Sequence, residues 1–304
     1  GQMSLFGAST GIVEEIHLPE VKNVDKREML SWERELIGLY ITDHPLNEYQ
    51  AILAQDVSYF SGQLSEAVHE EKVRVGRLKI SVANVEHSIS LKQYTPVSFR
   101  HWLGSYFALS RAFTALHGAA ILRAAQISIA TPFAAVEKRA WGGLTQSFFG
   151  TQEVVGGQTT DAFWLQVRRP LCGREGFYQR RGFLRGLAEL FRSLHRQHIY
   201  HNDLKDANIL TVTKPGDRSI AFFLLDLESV KRYSRLSEKR RVKNLAQLHR
   251  TLGRHIGPSA KLYFLKKYLG KAFADRSLKR RLISKVLRRS RRLDARRDRS
   301  SLNS

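Results

Sequence analysis

The residues best suited to chemistry lie in one short string, IYHNDLKDANIL, at residues 199–210, and in Asp226, which ends the run FFLLD. A carboxylate beside an ammonium group can orient a hydroxyl, accept its proton and neutralise charge on a phosphoryl group passed to it. Asp203 and Lys205 have the types and spacing for those two roles. Asn208 and Asp226 offer hard oxygen ligands suited to Mg²⁺ and its phosphate partners. The pattern therefore predicts metal-assisted phosphoryl transfer to a hydroxyl.

Three predicted elements position these side chains. Residues 182–195 carry apolar residues at helical spacing, and the run before Asp226 is typical of a buried strand. The segment TKPGDRS, at 213–219, predicts a tight turn between two strands. Helix, loop, strand, turn, strand and aspartate follow in the order used by protein-kinase-like phosphotransferases, with His201 expected to be structural. The alternative is that these polar side chains only cap turns and a strand end.

A nucleotide-binding lobe is predicted upstream. SISLKQY, at 88–94, alternates apolar and polar residues and places Lys92 on a strand, where it can reach phosphates or be an ordinary exposed lysine. SFFGTQEVV, at 147–155, predicts another strand that runs into a Gly-Gly hinge. The backbone from Glu153 to Val155 would then offer hydrogen-bonding groups to adenine.

Composition and charge limit the classes of protein that fit. The chain has 304 residues, 42% of them apolar, and a formal charge of +22, so wholesale disorder is excluded. Its single cysteine, Cys172, excludes an internal disulfide framework and a cysteine-rich zinc site, and fits a reducing cytosol. No apolar run reaches the length of a spanning helix, and residues 1–20 do not predict a secretory signal.

The charge is divided unevenly along the chain. Residues 1–76 contain six Lys/Arg and 13 Asp/Glu, whereas residues 77–304 contain 44 and 15. A swing of this size suggests two units with separate partners, although patchiness within one domain remains an alternative. In the first unit, Asp25 and Glu28 form a capping-box pattern that predicts a small helical segment.

The first unit resembles part of a known protein. GQMSLFG, at 1–7, followed by LSWERELIGLYITDHPLNEY, at 30–49, is similar to a segment of the alpha subunit of bacterial DNA polymerase III. In that family the segment precedes the oligonucleotide-binding fold. The resemblance covers roughly residues 1–76 and leaves out the polymerase's catalytic carboxylates, so it implies no polymerase activity.

Residues 85–270 resemble the lipopolysaccharide core kinase family, the Kdo/heptose kinases. The resemblance is carried by LKQY, SRAFTALHGAAIL, ISIATPFAAVEKR, HNDLKDANIL, LLDLESV and KNLAQLHRTLG. It implies a two-lobed kinase fold, ATP and Mg²⁺, and phosphorylation of a sugar hydroxyl on a glycolipid at the cytoplasmic face of the inner membrane. By motif match, Asp203 is the catalytic aspartate and Lys92 the phosphate-binding lysine. Asn208 and Asp226 match the metal ligands.

The sequence departs from the kinase pattern at several positions. No glutamate lies between Lys92 and Glu137, so Glu137 is the candidate partner of that lysine. Asn244 stands where a buried aspartate commonly braces the catalytic loop. Gly76 is the only glycine between Gly62 and Lys92, so a glycine-rich phosphate loop is not evident. A catalytically inactive kinase fold that binds glycolipid or nucleotide is therefore an alternative function.

We accordingly predict an α+β, protein-kinase-like two-lobed fold with an incomplete N-lobe, preceded by a small helical segment. The expected parts are a partly disordered polymerase-like segment, an N-lobe without a clear glycine-rich loop, a C-lobe, and a basic helix with its tail. Their ranges are 1–76, 77–155, 156–274 and 275–304.

The basic tail has three possible uses. Residues 275–304 contain 12 Lys/Arg and three Asp/Glu, with an apolar stripe at helical spacing. The helix can rest on an anionic membrane or lipid A core, pack on the C-lobe, or contact nucleic acid. The tail has no aromatic residues, which disfavours single-stranded nucleic acid. We expect a cytoplasmic protein, peripheral on the inner membrane.

Overall fold

The computed structural model describes residues 69–70, 73–82, 85–95, 109–140, 143–168, 174–213 and 219–302. The predictions made for residues 1–68, including the small helical segment, lie outside this part of the chain. Every structural statement below concerns the described residues.

The first lobe is built on one antiparallel sheet of five strands, in the order β1-β2-β3-β5-β4. Strand β3 pairs with β5 and places Lys92 opposite Phe149, three residues before β5 ends at the predicted hinge. Position 76, the end of the polymerase-like segment suggested by the sequence, lies inside β2 and pairs with Leu91 of β3. The strands are β1 (His69–Glu70), β2 (Val73–Val82), β3 (Val85–Tyr94), β4 (Pro132–Ala140) and β5 (Gly143–Gln152).

In the described part of the segment between β3 and β4 lies the helix α1 (Arg111–Ala124). Its first turn is capped by Ser110, whose hydroxyl accepts a hydrogen bond from the Phe113 amide at 3.2 Å. Small buried residues along this helix, such as Ala112 and Ala115, allow its backbone to approach the second lobe closely.

The second lobe is mainly helical and has a core along its longest buried helix, α3 (Arg174–Arg196). Phe183, Leu187, Phe191 and Leu194 recur at helical spacing and are all but completely buried, as the sequence pattern predicts for this run. The other helices are α2 (Thr160–Arg168), α4 (Glu238–Arg250), α5 (Pro258–Leu269) and α6 (Arg276–Leu302). None of the described helices is long and apolar enough to cross a bilayer.

Two small sheets carry the loops of interest. The strands β6 (Gln158–Thr159), β8 (Ile209–Thr213) and β9 (Ile220–Leu224) form one sheet in the order β6-β8-β9. The strands β7 (Ile199–His201) and β10 (Val230–Arg232) pair antiparallel in the other. The predicted strands before and after the 213–219 turn are therefore β8 and β9, which pair antiparallel.

Helix α1 packs closely on the short 3₁₀ turn Leu227–Ser229, directly after Asp226. A Cβ atom at Gly118 would overlap the backbone carbonyl of Leu227 and also crowd Val230. Because the obstacle is backbone, it cannot yield by a rotamer change. Gly118 thus sets the distance between α1 and the segment that carries Asp226.

We expect Gly118→Ala to lower the free energy of unfolding by about 1–3 kcal/mol, since overpacking costs that much in a well-packed interior. The matched control is Gly182→Ala on α3, where an added Cβ meets nothing within 4 Å. That control should be neutral or stabilising by up to about 1 kcal/mol, because alanine is the better helix former. Urea denaturation compares the two, and equal stability of both variants would contradict the close approach.

Candidate active site

Three of the predicted site residues meet in the loop after β7. The Lys205 ammonium lies 2.8 Å from Oδ2 of Asp203. The Asn208 amide donates to the same Oδ2 at 3.1 Å and to the Asp203 backbone carbonyl at 2.8 Å. A 3₁₀ turn, Asp206–Asn208, brings the asparagine back over the loop before β8 begins. The side chains predicted to handle the acceptor hydroxyl and the metal are thus adjacent.

Two more of the predicted residues, Lys92 and Asp226, meet across the lobes. Nζ of Lys92, on β3, lies 2.6 Å from Oδ1 of Asp226, which follows β9. Each side chain keeps between a quarter and a third of its surface exposed, so Lys92 is not an unpaired surface lysine. Burial by itself would raise the pKa of the Asp226 carboxyl, but the Lys92 ammonium outweighs it and holds that pKa below its usual value.

Asp226 has an unusual backbone conformation, with φ 61° and ψ 50°. Non-glycine residues rarely adopt this left-handed region, and aspartate and asparagine tolerate it best. Such conformations persist only where the surrounding structure imposes them, and they are common at functional sites. The turn after β9 therefore aims the Asp226 carboxylate toward Lys92.

Hydrogen bonds to the Leu225 backbone hold the two groups next to each other. The Leu225 amide, next to Asp226, donates to the Asn208 carbonyl at 2.9 Å. Nε2 of His201 lies 2.8 Å from the Leu225 carbonyl. The loop after β7 and the end of β9 are therefore held side by side, which brings the Lys92–Asp226 pair near the Asp203, Lys205 and Asn208 group.

His201 has a structural role, as the sequence predicts. Its ring is completely buried, and burial lowers its pKa. A carbonyl can only accept, so the proton is on Nε2, and Nδ1 lies 3.0 Å from the Ser229 hydroxyl, which also lies 3.0 Å from the Asp226 carbonyl. His201 thus clamps the loop to the turn after Asp226 in its neutral form.

Two side-chain amides of α4 donate hydrogen bonds to the loop. Asn244 is fully buried and donates to the His201 carbonyl at 2.6 Å. Gln247 donates to the Asn202 carbonyl at 2.8 Å and to Oδ1 of Asp203 at 3.3 Å, and its own Oε1 accepts from the Asn244 amide at 3.2 Å. An uncharged pair of amides therefore braces the loop where a kinase commonly uses a buried aspartate.

A buried histidine extends this brace to α5. Nε2 of His195 lies 3.2 Å from Oδ1 of Asn244, and Nδ1 lies 2.8 Å from the Tyr268 hydroxyl. The asparagine oxygen can only accept, so Nε2 carries the proton and Nδ1 accepts from the tyrosine. Burial lowers the pKa of His195 from 6.5 to about 4, which keeps the ring neutral.

Because burial lowers the pKa of His195, we expect the free energy of unfolding to decrease in acid. Between pH 6.5 and about pH 4, His195 is protonated in the unfolded chain but neutral in the folded chain. Its contribution to the free energy of unfolding is therefore complete above about pH 6.5 and is lost as the pH falls toward 4. The loss from this group should approach about 3 kcal/mol. His195→Gln keeps one donor and one acceptor but does not titrate, so its stability should change less over this range. Urea denaturation as a function of pH measures the difference, with exposed His117→Gln as the matched control. Equal pH slopes in wild type and His195→Gln would contradict it.

The partner of Lys92 is not the one suggested from sequence. Glu137 pairs instead with Arg139, at 2.8 Å. A different pair joins α1 to the site: the Arg111 guanidinium lies 3.3 Å from Oε1 of Glu228 and over the Tyr94 ring. From the sequence alone, no role was assigned to Glu228 or Arg111. Because 117 positions separate these two residues, no local pattern could have linked them.

The predicted hinge keeps part of its backbone available. The Glu153 amide donates to the Ser88 carbonyl at 2.8 Å. The Glu153 carbonyl and the Val155 amide make no backbone bond to another described residue, and Val155 is 85% exposed. Gly156 follows with a φ of 70°, a conformation that favours glycine. These groups remain the predicted partners of adenine.

The donors fit a magnesium ion shared with a nucleotide. No cluster of three or more His, Cys, Asp or Glu side chains occurs among the described residues. Mg²⁺ commonly takes only one or two protein ligands and completes its shell with phosphate oxygens and water. Because the Asn208 amide nitrogen is engaged by Asp203, its Oδ1 is the atom left for a metal. Asn208 and Asp226 would hold the ion, which neutralises phosphate charge when bound.

Comparison with curated proteins supports the resemblance of part of the chain to a polymerase. The chain is 30% identical over 99 residues to the DNA polymerase III subunit alpha of Treponema pallidum (strain Nichols). The match covers 32% of this chain and 8% of the relative, so the chain spans only a small part of that protein's length.

Comparison with solved structures confirms the fold. The structure of WaaP in complex with acyl carrier protein is similar, with a TM-score of 0.59 and 18% identity. The match covers 83% of this chain and 98% of that chain. The predicted α+β, protein-kinase-like fold is therefore confirmed.

The family follows from the sequence model that matches. Residues 62–268 match the family described as lipopolysaccharide kinase (Kdo/WaaP). The match covers more than half of the chain and contains Lys92, Asp203, Asn208 and Asp226. The chain belongs to the lipopolysaccharide kinase (Kdo/WaaP) family.

Proposed function

We propose that this chain transfers the γ-phosphoryl group of ATP, in the presence of Mg²⁺, to a sugar hydroxyl of the lipopolysaccharide inner core. The observation that carries the proposal is the meeting of Lys92 with Asp226 beside the Asp203, Lys205 and Asn208 group. Membership of this kinase family supports phosphoryl transfer as the reaction class. The predicted residues have the types needed to bind the phosphates, hold Mg²⁺ and orient the acceptor hydroxyl.

In the proposed reaction, Asp203 orients the acceptor hydroxyl and accepts its proton. The hydroxyl oxygen forms a bond to the γ-phosphorus while the bond from that phosphorus to the bridging oxygen breaks, and ADP leaves. Lys205 neutralises charge on the transferred group. Most of the rate comes from positioning and charge neutralisation, because phosphoryl transfer needs little covalent help.

The Lys92–Asp226 pair would be the resting arrangement of the empty site. Each group neutralises the other while both are partly buried. When a nucleotide binds, its phosphates offer Lys92 an alternative partner, and the Asp226 oxygens become available as ligands. The pair therefore keeps both side chains in position between reaction cycles.

The test is Mg²⁺-dependent transfer of labelled phosphate from ATP to purified lipid A-core glycolipid by the full chain. We expect labelled glycolipid only with ATP, Mg²⁺ and acceptor together. Nucleotide binding without transfer would favour the alternative, an inactive kinase fold. That alternative is supported by the described residues ahead of β3, which contain a single glycine, Gly76, inside a strand.

We also propose that the protein sits on the cytoplasmic face of the inner membrane through α6. The apolar stripe of this helix faces the second lobe at Leu282, which is buried. Glu238 of α4 pairs with Lys285 and Arg281, and Asp294 pairs with Arg250 of α4. The docked helix leaves other arginines exposed, which suits them to anionic lipid headgroups.

Vesicle sedimentation tests the membrane proposal. We expect binding to phosphatidylglycerol vesicles that weakens with salt, and little binding to phosphatidylcholine vesicles. Salt-sensitive binding to DNA with none to vesicles would favour the nucleic-acid alternative. Binding to acyl carrier protein, the partner in the solved WaaP complex, without vesicle binding would replace the membrane with a protein partner.

A further inference from the structure

A cluster of unpaired cations lies beside the catalytic loop. Residues 231–243 contain seven Lys/Arg and a single acidic residue, Glu238. Glu238 is already paired with Lys285 and Arg281 of α6. None of the seven cations has an ion-pair partner among the described residues. Like charges held together repel, so such a cluster suits a surface that binds an anion.

The cluster is fixed to the catalytic loop by direct contacts. Strand β10, at its start, pairs with β7, which leads into the loop. Nζ of Lys243 donates to Oδ1 of Asn202 at 2.7 Å, and the Tyr200 hydroxyl donates to the same oxygen at 3.1 Å. Lys243 therefore contacts the residue that directly precedes Asp203, the predicted catalytic carboxylate, in the chain.

Aromatic rings hold the cationic groups in place. The Arg240 guanidinium lies 3.8 Å from the centre of the Tyr233 ring and 5.9 Å from that of Tyr200. The Lys243 ammonium lies 5.7 Å from the Tyr200 ring centre. Contacts of this kind restrict a long side chain without neutralising its charge. Arg240 and Lys243 are therefore the ordered members of the cluster.

The chemistry of these groups defines the ligand. A guanidinium fork fits the two oxygens of a carboxylate or phosphate, and a lysine adds a point charge. The nucleotide phosphates already have Lys92 and Lys205 as their predicted partners. An anion bound near Asn202 would instead belong to the molecule whose hydroxyl Asp203 orients.

We propose that Arg240 and Lys243 bind a negatively charged group of the acceptor, a carboxylate or a phosphate on the sugar core, and so position its hydroxyl at Asp203. This inference rests on the proposed function, because it assigns the acceptor side of the same site. Tyr200, Tyr233 and Asn202 are positioning residues that act through these two cations.

The first test is equilibrium binding of lipid A-core glycolipid to the full chain, which does not depend on catalysis. We expect Arg240→Gln and Lys243→Gln each to weaken binding about tenfold, as for loss of one charge-assisted hydrogen bond. Lys239→Gln is the matched control, since it removes the same charge from the same helix at a position with no contact to Asn202 or the two tyrosines. Its affinity should stay within about twofold. Equal losses in all three variants, or no binding by the wild type, would overturn the proposal.

The second test identifies the anion and separates this proposal from the catalytic one. If the anion is a phosphate, enzymatic removal of core phosphates should weaken wild-type binding and abolish the difference between wild type and Arg240→Gln. If it is a carboxylate, methyl esterification of the core should have that effect. A difference that survives both treatments would overturn the proposal.

Kinetics of an active chain should show a raised KM for the acceptor in these variants and an unchanged KM for ATP. A raised KM for ATP would place the cations on the nucleotide side and contradict the inference. Acceptor binding that depends on Arg240 and Lys243 in a chain without transfer would refute the proposed function, whereas the binding of the acceptor's anion by these two residues would stand.

Discussion

Replacing Asp203 with alanine is expected to lower the rate of phosphoryl transfer about 10²- to 10⁴-fold, the usual contribution of a positioned proton acceptor. The substitution also removes the contacts that the carboxylate makes with Lys205 and Asn208. Binding of ATP should change by only a few fold, because Lys92 and Asp226 are untouched. Single-turnover transfer to lipid A-core measures the first effect, and equilibrium nucleotide binding measures the second.

Two variants separate loss of the charge from loss of the fold. Asp203→Asn keeps the shape of the side chain and an acceptor for Asn208, yet it should be nearly as inactive as the alanine variant because it cannot take a proton. Asp275→Asn, at the exposed N-terminal cap of α6, is the control for removing a carboxylate far from the loop. Transfer unaffected by Asp203→Asn would remove this residue from the mechanism.

The predicted catalytic segment could be found from sequence because its pattern is local. The spacing of Asp203, Lys205 and Asn208 within a single loop is fixed by short-range backbone geometry. The strand before Asp226 could be found because four consecutive apolar residues precede an aspartate. Each of these signals spans only a few residues, so tertiary packing has little opportunity to override it.

The contacts between distant segments were beyond sequence reasoning. Lys92 and Asp226 are 134 positions apart, and Glu137 looked like the better partner for the lysine because a kinase usually supplies a glutamate there. In the structure, α1 begins with Arg111, which pairs with Glu228 of the turn after Asp226. The helix therefore supplies a positive charge to this region, where a kinase usually supplies the negative charge of a glutamate. Only a fold that places α1 on the turn after β9 makes this pairing evident.

The use of the basic helix was ambiguous for a related reason. An apolar stripe flanked by arginines is the same pattern whether it covers a membrane or the surface of its own domain. The structure shows Leu282 buried and Lys285 paired with Glu238, so this part of the helix packs on the second lobe. That packing was one of the three predicted uses, and the exposed arginines leave room for another.

Replacing Asp226 with asparagine should separate function from stability at the second carboxylate. Loss of the charge that would hold Mg²⁺ and face Lys92 is expected to lower transfer about 10²- to 10³-fold, as for loss of one electrostatic contact to the reacting group. Asparagine also tolerates the left-handed backbone and keeps an oxygen for Lys92. At neutral pH Asp226→Asn should therefore lose only the stability that its charge gains from Lys92, whereas Asp226→Ala should lose a further amount of about 1 kcal/mol or more for the backbone strain.

The pH dependence of the Asp226→Asn variant supplies an independent check on its ion pair. Because Lys92 holds the pKa of the Asp226 carboxyl below its usual value, the pair stabilises the fold above the unfolded pKa and is lost as the pH falls through the folded one. Wild type should consequently lose more stability than Asp226→Asn on acidification below about pH 4. Urea denaturation of both proteins across this range measures the difference. Parallel pH curves would mean that Lys92 does not stabilise the carboxylate, and retained transfer in the variant would show that the charge of Asp226 is not needed for the reaction.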